Sequence, residues 1–222
     1  MGARIDAVLF DFDHTLGIDH RLEETVLHDL SSRLCASPLS GARVVETLAL
    51  FRSGGASLPA TLQAAFDGCA CGDGIVERYK TAVLALLPEH LEPMPGAPTA
   101  LRALQEAGLI VGILSNGWTE LQRAKAAGIG FDGPVIVSEA IDAWKPDQRA
   151  FEVAARTVGA RLDRTVYVGD SPFTDVAGAR SAGMVAVWAD LEGAIYPAAL
   201  ERPDHKITAL DQLPGLIGRL RG

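Results

Sequence analysis

Ala7-Val8-Leu9-Phe10-Asp11-Phe12-Asp13-His14-Thr15 is an apolar run that turns acidic at its carboxyl end. The first four residues carry no polar group, as expected of a strand buried on both faces of a parallel sheet. Successive side chains of an extended chain alternate, so Asp11 and Asp13 share one side and Phe12 takes the other. Similar short runs follow at Leu109 to Leu114, Pro134 to Val137, Thr165 to Val168 and Met184 to Trp188. Between them the apolar residues recur at helical spacing, and three of these segments close on Gly108, Gly159 and Gly183. Strand alternating with helix at this spacing predicts an α/β fold, a parallel sheet with helices on both faces.

One stretch breaks the alternation. From about Ile18 to about Glu92 four amphipathic helices are expected and no strand. Leu22, Val26, Leu30 and Leu34 stripe the first. Val44, Val45, Leu48 and Phe51 stripe the second, which runs roughly from Gly41 to Arg52. Leu58, Leu62 and Phe66 mark the third, and Ile75, Tyr79, Val83 and Leu87 the fourth. This block reads as an all-helical insertion, residues 18–93, into a core of residues 1–17 and 94–222. The return through Pro93-Met94-Pro95-Gly96 has the composition of a stiff connection.

The 222 residues are 48% apolar, enough for a sizeable core. Twenty Lys and Arg against 28 Asp and Glu leave a net charge of −8, which argues against binding nucleic acid or an anionic membrane surface. The longest apolar runs fall far short of the ~20 residues of a membrane helix. Arg4 and Asp6 interrupt the stretch that a secretory leader would need. Cys35, Cys69 and Cys71 are expected to be free thiols in a reducing cytoplasm, Cys69 and Cys71 being too close together to bridge.

Chemistry gathers where the strands end. Two carboxylates, Asp11 and Asp13, leave the first strand, at the place where ligands bind in open parallel sheets. Held together they repel, which calls for a metal ion, a shared proton or separate acid and base roles. Acidic pairs also occur in ordinary loops. Ser115-Asn116-Gly117 ends the second strand and can bind an oxyanion or simply cap a helix. Lys145 follows the third strand, just before Pro146, which suits the first turn of a helix. Gly169-Asp170-Ser171-Pro172 and Asp175 follow the fourth.

Taken in order, these residues resemble the motifs of the haloacid dehalogenase-like hydrolase superfamily. Asp11, Asp13 and Thr15 match the first motif, Ser115 the second, Lys145 the third, and Gly169-Asp170 with Asp175 the fourth. The resemblance implies a Rossmann-like core, and a helical insert directly after the first motif looks like a cap of the first type. Phosphatases and phosphomutases of the superfamily keep an acid at the position of Asp13, whereas dehalogenases do not. The implied activity is therefore a magnesium-dependent phosphatase acting on a small phosphorylated metabolite through an aspartyl phosphate. By the same resemblance Asp11 is the nucleophile and Asp13 the general acid and base. Asp11, the main-chain carbonyl of Asp13 and Asp170 would bind magnesium. Ser115, Asn116 and Lys145 would hold the phosphate, Asp175 would lie around the metal, and Thr15 would brace the loop. The net charge of four aspartates and one lysine would otherwise reject a phosphate dianion.

Substrate choice is expected to lie in the helical block, where His20, Arg21 and Arg52 are candidate contacts, with Trp118 beside the phosphate loop. A phosphomutase of the β-phosphoglucomutase type would use the same core residues. A glycosyltransferase would leave the Ser, Lys and later Asp motifs unexplained. A non-catalytic module on this fold would have no use for the full set.

Overall fold

The computed structural model describes residues 5–70 and 74–222. Its main sheet has six strands in the order β5-β4-β1-β6-β7-β8, all parallel. They are β1 (Ala7–Phe10), β4 (Ile110–Ser115), β5 (Val135–Val137), β6 (Thr165–Gly169), β7 (Val185–Ala189) and β8 (His205–Ile207). Every residue of β1 and β6 is buried, the pattern of strands covered by helices on both sides. The helices around this sheet are α5 (Ala97–Glu106), α6 (Thr119–Gly128), α7 (Ser138–Ile141), α8 (Gln148–Thr157), α9 (Gly178–Ser181) and α10 (Leu213–Arg221). The fold is the expected α/β, Rossmann-like one. Leu9, Leu114, Phe151, Tyr167 and Trp188 belong to one buried apolar cluster.

Register sets the chemistry. Phe10 pairs with Ile113 on one side and Val168 on the other, so Asp11, Ser115 and Asp170 emerge along one edge of the sheet. Connections run outward in opposite directions from β1 and β6, which makes the gap between their carboxyl ends a topological switch point.

Three strands escape the sequence reading. β8 has three residues, two of them polar, at the sheet edge. β2 (Gly17–Ile18) and β3 (Glu92–Pro93) form a two-residue antiparallel ribbon too short to show any alternation. Pro146 is also placed differently from expectation. It precedes Asp147, the N-cap of α8, so the helix starts after it, and the Lys145–Pro146 bond is cis.

The chain divides into two units: Met1–Ile18 with Glu92–Gly222, and Asp19–Leu91. The second holds α1 (Leu22–Leu34), α2 (Gly41–Arg52), α3 (Leu58–Ala65) and α4 (Ile75–His90). Ser40 and Ser57 cap α2 and α3 by accepting from main-chain N–H groups one turn on. Val44, Leu48 and Phe51 are buried, but Val45, expected on the same stripe, faces out. Glu23 is buried within the unit, taking hydrogen bonds from Tyr79 Oη and Arg52 at 2.7 Å each. Cys35 is bonded to Cys69, which corrects the free-thiol expectation. The sequence argument weighed only the neighbouring pair; the helical packing joins the turn after α1 to the turn after α3, bringing the two Cα atoms to 4.5 Å. The localisation argument built on free thiols falls with it, and Cys71 lies outside the described residues. No helix among the described residues is long and apolar enough to cross a membrane.

Candidate active site

Asp11 is the first residue beyond β1, and its N–H donates to Val168 O at 2.9 Å, continuing the ladder onto β6. Lys145 is buried and reaches three oxygens. Its Nζ lies 2.8 Å from Asp11 Oδ1, 2.7 Å from Asp175 Oδ1 and 2.9 Å from Tyr167 Oη. Tyr167 donates in turn to Leu114 O at 2.9 Å, so β6 and β4 together fix the lysine head.

Asp175 is fully buried and doubly held, since Ser171 N–H donates to its other oxygen at 2.9 Å. Gly169 makes room for it: a Cβ there would lie 2.4 Å from Asp175 Cγ. One oxygen each from Asp11, Asp170 and Asp175 falls within a 4.8 Å group. Thr15 Oγ1 lies 3.5 Å from Asp170 Oδ1, and Trp188 Nε1 donates to Asp170 O at 2.8 Å.

Crowding shows in the proton affinities. Burial raises the Asp11 pKa to about 8; Lys145 pulls against this, while Asp175, Asp170 and Asp13 add to it. Burial and Asp175 raise Asp170 to about 6, against Lys145. Burial works against the charge on Lys145, but Asp11 and Asp175 outweigh it and hold its pKa above the ordinary lysine value. Three carboxylates facing one lysine leave a site that gains by taking up a cation, and carboxylate oxygens suit a hard divalent ion. The donor set therefore fits magnesium.

The second motif lies at the carboxyl end of β4. Ser115 is buried at the end of β4, with its Oγ 3.5 Å from Asn116 O. The Asn116 side chain, expected at the phosphate, is committed to the Lys145 main chain: Lys145 N donates to its Oδ1 at 2.9 Å, and its Nδ2 donates to Lys145 O at 3.0 Å.

Asp13 stands apart from the cation cluster. Lys125 Nζ lies 2.8 Å from its Oδ1, and Gln122 Nε2 donates to its Oδ2 at 3.1 Å. Neither residue, nor Tyr167, was singled out in the sequence. The available signal was a Gln and a Lys three residues apart on a helix that leaves a strand-end motif.

Among the candidate contacts, Trp118 is fully buried, Arg21 pairs with Glu24, and Arg52 is bound to Glu23. His14 pairs with Glu192 at 3.2 Å.

The profile of the haloacid dehalogenase-like hydrolases matches residues 5–183. The chain belongs to this family. Phosphoserine phosphatase of Thermus thermophilus is 30% identical over 222 residues, covering 82% of this chain and 88% of that protein. Haloacetate dehalogenase H-2 of a Moraxella species is also 30% identical, over 66% of this chain and 64% of that one. Among solved structures, a HAD phosphatase from Thermococcus onnurineus superposes with a TM-score of 0.70 at 25% identity, over 96% of this chain and 98% of that chain. This haloacid dehalogenase-like hydrolase thus resembles relatives of two chemistries, and its own residues must decide between them.

Proposed function

We propose that the protein is a magnesium-dependent phosphatase that hydrolyses a small phosphorylated metabolite through an aspartyl phosphate on Asp11. The observation that carries this reading is the position of Asp13. It is close enough to Asp11 to raise its pKa, yet its carboxylate lies outside the Asp11–Asp170–Asp175 cluster and is held by Lys125 and Gln122. Halide leaves as a weak base and needs no acid. An alkoxide leaving from phosphorus needs a proton, and Asp13 can supply it.

Asp11 attacks phosphorus, its free oxygen directed by the Lys145 contact on Oδ1. Lys145 and the Ser115 hydroxyl hold equatorial oxygens as charge spreads over them. Asp13 protonates the departing oxygen and then takes a proton from the water that hydrolyses the acyl phosphate. Magnesium, held by Asp11, Asp170 and the Asp13 main-chain carbonyl, would supply charge neutralisation of the phosphoryl group. Asp175 keeps Lys145 in place, and Thr15 braces Asp170. Substrate choice is assigned to the Asp19–Leu91 unit, because the strand-end residues recognise only phosphate.

The test is a panel of phosphate monoesters and 2-haloacids, each with magnesium and with chelator. Phosphate release that needs magnesium, without halide release, is expected. Halide release without phosphate release would overturn the reading. Phosphoryl transfer to a sugar instead of water would redirect it to a mutase.

A further inference from the structure

Gln122 and Lys125 stand three residues apart on one face of α6, and both are buried although both are polar. A buried lysine is rare because burial strips the ammonium of water. Lys125, at 1% exposure, turns its charge toward Asp13, whose side chain is 37% exposed. The partner with a route to ligand is the aspartate, and the helix behind it is fixed in the core.

The geometry controls a soft torsion. Rotation of an Asp carboxylate about its terminal bond is broad, so a half-exposed Asp13 would point its oxygens in many directions. Lys125 binds one oxygen and Gln122 the other, which fixes the carboxylate plane. A protonated carboxyl held this way gives its proton to the leaving group, and the carboxylate takes one from the attacking water.

The Gln122 amide is itself oriented. Its Nε2 also donates to Asn116 O at 3.3 Å, and its Oε1 is buried without a partner among the described residues. The fold tolerates that orphaned acceptor while keeping the donor on Asp13. Gly117 permits the approach: with φ +146°, a Cβ there would lie 2.8 Å from Gln122 Nε2. Since Asn116 also holds the Lys145 main chain, one run of hydrogen bonds ties Asp13 to the loop that presents Lys145 to Asp11.

We infer that Gln122 and Lys125 are positioning residues that lock the Asp13 carboxyl in line for proton transfer, an inference that rests on the phosphatase reading. As the ester P–O bond breaks, its electron pair goes to the leaving oxygen, which takes the Asp13 proton. In the second half, water returns a proton to Asp13 as its oxygen bonds to phosphorus and Asp11 leaves.

Lys125→Met and Gln122→Met keep the stems and remove the donors. The probes are β-glycerol phosphate, with an alkoxide leaving group, and p-nitrophenyl phosphate, whose phenolate leaves unaided. In single turnovers with magnesium, both variants are expected to cleave the alkyl ester about 10- to 100-fold more slowly, within the usual size of acid catalysis. The p-nitrophenol burst should stay within about threefold of wild type, and KM should hold. In an Asp13→Asn background, Lys125→Met should add no further loss on the alkyl ester. Gln122→Met changes no charge and carries the test should Lys125→Met not fold. Equal losses on the two esters, no loss on the alkyl ester, or a full further loss in the Asp13→Asn background would each overturn the positioning role alone. A wild-type protein inactive on both esters would overturn the phosphatase reading, and the positioning role with it.

Discussion

Asn116 and Lys145 grip each other through two hydrogen bonds, the amide of one closing on both main-chain polar groups of the other. A side chain from one strand-end loop thus sets where the next loop presents its lysine. Asn116→Leu keeps the volume and leaves the Lys145 N–H and C=O without these partners. We expect a loss of about 1–3 kcal/mol in unfolding free energy, read from the urea midpoint at unchanged slope. Activity should fall further than stability, because Lys145 would no longer be fixed against Asp11.

Asp11 and Asp13 should separate by leaving group. Asp11→Asn removes the attacking oxygen anion and should reduce hydrolysis of every ester to background. Asp13→Asn should slow alkyl esters by about 10² to 10⁴ while sparing the first turnover of an aryl ester. The aspartyl phosphate should then accumulate, because the water has lost its base. Equal first-turnover losses for both ester classes would contradict the acid role.

Magnesium and pH should act together on stability. The native carboxyls of Asp11 and Asp170 hold protons more tightly than in the unfolded chain, with pKa values of about 8 and about 6. Below pH ~4 both states are protonated. As pH rises from about 4 toward these two values, the unfolded chain is ionised while the native site still holds its protons, so their contribution to metal-free stability falls until the native carboxyls ionise too. A cation needs the ionised form, so magnesium should raise Tm more at pH 8 than at pH 5.5. Scanning calorimetry at both pH values decides, and an equal rise at the two would count against the site. In Asp11→Asn the rise should largely disappear.

Reduction of Cys35–Cys69 should loosen the helical unit. The two residues are 34 apart in sequence, and closing a loop of that length corresponds to about 3–4 kcal/mol of unfolded-state entropy. The urea midpoint of unfolding for the unit should drop on adding dithiothreitol, and Cys35→Ser with Cys69→Ser should mimic the drop without reductant.

Legibility in the sequence followed physical period and distance. β1, β4, β5, β6 and β7 announce themselves because strands buried on both faces need unbroken apolar runs. β8, with His205 and Lys206 on an edge, carries no such run. The strand-end acids were visible because they interrupt apolar runs. Lys125 was not: on a helix it reads as a solvated charge, and its partner lies 112 residues away. Arg52 could be read in sequence only as a substrate contact or an exposed polar helix residue; its pairing with Glu23, 29 residues away in the first turn of α1, carries no local signal.

The ribbon of Gly17–Ile18 against Glu92–Pro93 has a consequence for how such a chain can change over generations. The polypeptide leaves and re-enters through adjoining positions, with Ile18 directly opposite Glu92. Everything between them can be lengthened, traded or deleted as a cassette without rewriting a single pairing of the main sheet. An Asn-Gly turn across that gap would close the ribbon into an ordinary hairpin. If substrate choice lies in the inserted unit, as proposed above, lineages built this way can keep one inherited chemistry and tinker with its clientele separately.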